Sequence, residues 1–147
     1  MWVSGNVLVV SKILIASDSP SVLAEVESVL HARDHDVVTV TSGAEVRSAA
    51  KTESPDLAVF DFQIGSMGGV AACLDLRLEH SGGRLPAIPV LLLLDRRADV
   101  FLARRSGAQG FLLKPLDPIR VRKAVTKLLA GENYEDASFA PATIPAR

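Results

Sequence analysis

The chain has 147 residues, 48% of them hydrophobic and 22% charged, and its 16 basic and 17 acidic side chains leave a formal net charge of −1. That composition excludes wholesale disorder, and the length suits one domain able to bury roughly 70% of its unfolded surface, with no need for disulfides or metal to fold. No global basic excess points to nucleic acid, and the single cysteine, Cys73, excludes a disulfide framework and a multi-cysteine zinc site. The longest apolar stretch, residues 87–94, contains Pro89, runs into Asp95-Arg96-Arg97 and falls far short of the roughly 20 residues of a membrane span. Residues 1–6 lack a charged n-region and Lys12 interrupts the apolar residues that follow, so no signal peptide is expected and a reducing cytoplasm is the expected home.

Short apolar runs alternate with longer amphipathic ones. Residues 7–16 are rich in β-branched side chains and end at Ser17-Asp18-Ser19, the pattern of a buried strand. Ser19 as N-cap and Pro20 in the first turn open a helix with Val22, Leu23, Val26, Val29 and Leu30 on one face. Residues 37–41 form a second strand, and a helix from Ser42 has a weak apolar face of Ala44, Val46, Ala49 and Ala50. Pro55-Asp56 precedes a third strand, Leu57-Ala58-Val59-Phe60, that ends at Asp61; a loop with Gly65, Gly68 and Gly69 leads to a helix over residues 70–79, stopped by Ser81-Gly82-Gly83. A fourth strand over 88–94, a short helix over 99–105 stopped by Gly107, and a fifth strand over 111–113 follow. After Lys114-Pro115, Asp117-Pro118 caps a last helix with Ile119, Val121, Val125, Leu128 and Leu129 on its apolar side. Five strand–helix units imply a parallel sheet covered on both faces. Residues 1–11 form an N-terminal extension, 12–130 the domain, and 131–147, with Pro141 and Pro145, a flexible tail.

In an open parallel sheet, ligands bind beyond the carboxyl ends of the strands. Those ends carry Asp18, Asp61, Leu94 and Lys114. Two carboxylates and an ammonium would meet at one edge. In general, like charges crowded together repel and a nearby cation opposes that repulsion. Such a trio suits magnesium, which takes oxygen ligands and keeps several waters, while the lysine can hold a phosphoryl group by charge. Any one of these residues alone reads more simply as a helix cap or a solvated loop residue; three at converging ends favour a site.

Over about residues 12–130 the sequence resembles the receiver domain of bacterial two-component response regulators. Ile13-Leu14-Ile15-Ala16-Ser17-Asp18-Ser19-Pro20 resembles that family's opening strand and acidic pocket. Pro55-Asp56-Leu57-Ala58-Val59-Phe60-Asp61 resembles the strand that delivers the phosphoacceptor, and Gly107-Ala108-Gln109-Gly110-Phe111-Leu112-Leu113-Lys114-Pro115 the segment with its lysine and following proline. The resemblance implies a flavodoxin-like, doubly wound α/β domain with a five-stranded parallel sheet in the order 2-1-3-4-5. It implies that Asp61 accepts a phosphoryl group from a histidine kinase, a phosphotransfer protein or a small phosphodonor. It further implies that Asp18, Asp61 and the backbone carbonyl of Gln63 hold weakly bound Mg²⁺, and that Lys114 contacts the phosphoryl oxygens. The chemistry is in-line displacement at phosphorus, dominated by positioning and charge neutralisation. A signalling carrier is expected rather than a turnover enzyme.

The departures from the pattern are specific. Ser17 stands where the first of two adjacent acidic residues is usual, so one negative charge is gone. Leu94 replaces a Thr or Ser that bonds a phosphoryl oxygen, and Asp95 follows it where a small residue is common. The segment from Leu94 to Gly107 is about two residues short, which threatens the fourth helix. Gly65 replaces a proline, so a looser loop is expected. Phe111 takes the aromatic switch position, but with Leu94 opposite it plain packing at the sheet edge is expected. The alternative reading is therefore a phosphorylation-independent pseudo-receiver that works as an interaction module. Output is expected through an unknown downstream protein partner, because the residues after Ala130 are too few for a DNA-binding helical domain. A homodimer is compatible with the resemblance.

Other signals have plainer readings. Cys73 lies on an apolar helical face, and His31, His35 and His80 lack metal-ligand spacing. Residues 65–69 lack the Gly-Lys-Ser/Thr ending of a phosphate-binding loop, and Asp61-Phe62-Gln63 lacks the histidine of a cobalamin motif. Arg96, Arg97, Arg104 and Arg105, and Arg120, Arg122, Lys123 and Lys127 on the last helix, read as solvated basic faces or a docking surface, with nucleic acid the weakest option.

Overall fold

A computed structural model describes residues 10–65 and 67–136. Strands β1 (Lys12–Ala16), β2 (Asp36–Val40), β3 (Leu57–Asp61), β4 (Val90–Leu94), β5 (Gly110–Leu113) and β6 (Tyr134–Glu135) alternate with helices α1 (Pro20–His31), α2 (Val46–Glu53), α3 (Gly69–Ser81), α4 (Val100–Ser106) and α5 (Pro118–Leu129). All strand pairs are parallel, in the order β2-β1-β3-β4-β5-β6. Among the described residues no helix is long and apolar enough to cross a membrane.

The central strands are apolar on both faces because both are covered. Leu14, Ala16, Ala58, Phe60, Leu92, Leu94, Phe111 and Leu113 share one buried cluster with residues of α2, α3 and α4. Ile13, Ile15, Leu57, Val59, Leu91, Leu93 and Leu112 share the other with α1 and α5. Alternate side chains therefore go to opposite layers, as the two-residue period of a strand requires.

The helix starts follow from local chemistry. The Ser19 hydroxyl accepts from Val22 N at 3.4 Å and the Asp117 carboxylate from Arg120 N at 2.9 Å, each with a proline next in the chain. The expected start of the second helix at Ser42 is instead a 3₁₀ turn, Gly43–Glu45, that leads into α2. The short segment after β4 still forms α4, reduced to seven residues. A 3₁₀ turn, Arg97–Asp99, launches it, with buried Asp99 accepting from Arg96 N at 3.1 Å and from the Arg96 guanidinium at 2.9 Å. Arg77 closes its other end by donating to Ser106 O at 2.8 Å.

The sheet has six strands where five are expected, and residues 131–136 are not a loose tail. Gly131, at φ +85°, turns the chain after α5 so that Tyr134–Glu135 pairs with β5. Asp136, 1% exposed, accepts from Leu113 N at 2.9 Å and from the Arg120 guanidinium. Arg104 pairs with Glu135 at 2.8 Å. The added strand thus satisfies an edge donor of β5, and its acid is neutralised as it is buried. Gly110 permits the approach, since a Cβ there would lie 2.9 Å from Tyr134 O. The expected strand begins at Lys12, after residues 10 and 11; its residues 7–9, the extension before them and the tail beyond Asp136 lie outside the described residues.

Candidate functional site

Parallel strands in register bring their carboxyl ends to one edge. β1 ends one residue before Ser17, β3 ends on Asp61, β4 one residue before Asp95 and β5 one residue before Lys114. Pairing of Leu94 with Leu113 and of Asp61 with Leu93 sets 61, 95 and 114 side by side.

Asp61 is 2% exposed, and both of its oxygens are engaged. Lys114 Nζ donates to Oδ1 at 2.6 Å. The Ser17 hydroxyl, itself fully buried, donates to Oδ2 at 2.8 Å and accepts from Ser19 N at 3.0 Å. A buried carboxylate is tolerable only with partners of this kind. Lys114 Nζ also donates to Asp95 Oδ1 at 2.9 Å, so one ammonium is shared by two carboxylates. Burial alone would push the Lys114 ammonium down, but its hydrogen bonds to Asp61 and Asp95 outweigh that and hold it above the ordinary lysine value. The Lys114–Pro115 peptide bond is cis.

Asp18 is exposed and reaches the loop after β3, where its carboxylate accepts from Gly65 N at 3.0 Å. Gly65 O in turn accepts from Gly43 N at 3.3 Å and Met67 N at 2.8 Å. Hydrogen bonds thus tie Gly65, where a proline is usual, to Asp18 and to Gly43. Gln63 lies in the same bend, exposed, two residues past Asp61. Leu94 is fully buried and Phe111 is 3% exposed; both lie in the apolar layer with Val100 and Ala103 of α4. The fourth strand therefore offers packing where a hydroxyl would face the site.

Among the described residues no three His, Cys, Asp or Glu side chains gather as a metal cluster. The site's own oxygens are the carboxylates of Asp18 and Asp61 and the main-chain carbonyl of Gln63. Magnesium is held by one or two carboxylates together with waters, so this donor set fits the ion at the low end of what it needs.

Two contacts went unread in the sequence: the direct bond from Ser17 to Asp61, and the hold of Asp95 on Lys114. The second had a usable signal, since both residues lie one position past the ends of adjacent parallel strands. Asp136 had none, because an acid in a polar tail has no periodicity to mark it.

Comparison with known proteins agrees with this geometry. The family model described as the response regulator receiver domain matches residues 13–126. Protein PilH of Pseudomonas aeruginosa is 27% identical over 121 residues, which cover 82% of this chain and 99% of PilH. The alkaline phosphatase synthesis transcriptional regulatory protein PhoP of Bacillus subtilis is 31% identical over 120 residues, covering 80% of this chain and 48% of PhoP. The chain thus spans nearly all of the one relative and about half of the other. The receiver domain of the sensor histidine kinase PA1611 from Pseudomonas aeruginosa, a structure with magnesium in its own active site cleft, superposes with a TM-score of 0.73 at 19% identity. It covers 83% of this chain and 99% of that one, a likeness of fold.

Proposed function

The chain belongs to the response regulator receiver domain family, and from that premise we propose that it is a stand-alone receiver that takes a phosphoryl group on Asp61 and signals through protein contacts. The observation that carries this reading is a buried carboxylate at the end of a central strand with an ammonium 2.6 Å from one of its oxygens. The donor is a histidine kinase, a phosphotransfer protein or a small phosphodonor in the cytoplasm; the output is a protein partner.

An Asp61 oxygen attacks phosphorus in line. A bond forms between that oxygen and phosphorus, the bond from phosphorus to the donor breaks, and its electron pair leaves with the donor. Lys114 neutralises charge on the phosphoryl oxygens. Ser17 steadies the acceptor by holding Oδ2. Asp18, Asp61 and the Gln63 carbonyl would hold Mg²⁺, which when bound supplies further charge neutralisation of the phosphoryl group. The domain carries one phosphoryl group per molecule and is not a turnover enzyme.

Incubation with acetyl phosphate and Mg²⁺, followed by intact-mass measurement, tests this. One added phosphoryl group on the wild type and none on Asp61→Ala is the expected result; no adduct on either would refute it. The second reading, a module that binds its partner without phosphorylation, draws on the packing of Leu94 with α4 and the hold of Asp95 on Lys114. It predicts partner binding unchanged in Asp61→Ala.

A further inference from the structure

We propose that Asp95 is a built-in competitor for the Lys114 ammonium, a positioning residue that sets how tightly a phosphoryl group on Asp61 is held. This rests on the reading of Asp61 as acceptor and adds a determinant to it. Lys114 Nζ lies 2.6 Å from Asp61 Oδ1 and 2.9 Å from Asp95 Oδ1. Two of its three N–H donors are thereby committed before any phosphoryl group arrives. The side chain of Asp61 is 3% exposed and that of Asp95 is 36% exposed, so Asp95 stands on the solvent side of the shared ammonium.

Phosphorylation replaces the charge on the Asp61 carboxylate with negative oxygens on phosphorus. Lys114 must then turn from Asp61 to those oxygens. Asp95 opposes this in two ways. It holds the ammonium in its present place, and it sets a like charge beside the new one. The charge balance of the site is correspondingly moved: an acid is missing at Ser17, on the side of Asp18, and an acid is present at Asp95, on the side of the lysine.

An exposed ion pair often contributes little, and the experiment separates that outcome from this one. Beryllofluoride, formed with Mg²⁺ present, serves as the phosphoryl mimic, and its affinity is measured for wild type, Asp95→Asn, Asp95→Ala and Asp95→Glu at low and high salt. Tighter binding to Asp95→Asn and Asp95→Ala, on the order of tenfold at low salt, is expected. Asp95→Glu should remain near the wild type. The gap should narrow at high salt, where the exposed charge is screened; a role limited to packing would not depend on salt. Binding to the wild type with equal or weaker binding to Asp95→Asn and Asp95→Ala would overturn this inference alone. Absence of binding in all four proteins would overturn the acceptor reading and this inference with it.

Discussion

Replacing Ser17 by an aspartate restores the acid that the family usually carries there, and the structure predicts that it costs stability until a cation arrives. Ser17 is fully buried and donates to Asp61 Oδ2 at 2.8 Å. The Ser17→Asp substitution would remove that charge-assisted bond, about 1.5–3 kcal/mol. It would also set a second carboxylate against Asp61, with a Coulomb cost of about 4 kcal/mol for a separation of about 4 Å at an effective dielectric of about 20. Lys114, already on Asp61, offsets part of this. A net loss of about 3–5 kcal/mol is expected in the absence of divalent cations, a large share of the roughly 5–15 kcal/mol typical of a domain. With a urea slope of about 2 kcal/mol/M, the unfolding midpoint should fall by roughly 2 M. Magnesium should reverse most of the loss, because the ion gains a carboxylate ligand; at about 100 times the dissociation constant, binding restores about 2.7 kcal/mol. The wild type, with fewer acidic ligands, should gain less from the same Mg²⁺. Equal midpoints for the two proteins without metal would refute the assignment of Ser17 as the partner that stabilises Asp61.

Asp136→Ala should destabilise the domain by about 2–4 kcal/mol, since it strips the acceptor from buried Leu113 N and an ionic partner from Arg120. Asp136→Asn, which keeps an acceptor oxygen, should cost less, and hydrogen exchange at Leu113 should rise more in the alanine variant. Glu79 is held below its ordinary carboxylate value of 4.5, first by its hydrogen bond from Lys51, against burial, and with help from Arg84. Its contribution is therefore present above about pH 4.5 and is lost as pH falls through the lowered folded value, so Glu79→Gln should flatten the acid limb of a stability–pH profile. Burial pushes the Cys73 thiol up, so alkylation at neutral pH should proceed only at the rate of opening or unfolding.

The fold was legible because each signal was local. Ser19-Pro20 and Asp117-Pro118 mark helix starts through side-chain caps, and the apolar runs at 57–60 and 88–94 mark strands buried on both faces. The strand ends then place Asp61 and Lys114 together, and these are the residues the structure pairs. The sixth strand was not legible: Tyr134 and Glu135 form no apolar run, and Asp136 is stabilised by Arg120 and Leu113 N, contacts that exist only once α5 has folded back on the sheet. The bond that ties Asp18 to the loop at Gly65 is illegible for a related reason. It joins residues 47 apart in the chain, and composition carries no trace of it.

The most direct test of Asp61 as the acceptor is to locate the acyl phosphate. The protein is phosphorylated with acetyl phosphate and Mg²⁺, reduced with borohydride, which converts a phosphorylated aspartate to homoserine, and digested for peptide mass spectrometry. Homoserine at position 61, absent when the phosphodonor is omitted, is the result expected. An unmodified Asp61, or homoserine at Asp18 or Asp95 in its place, would contradict it.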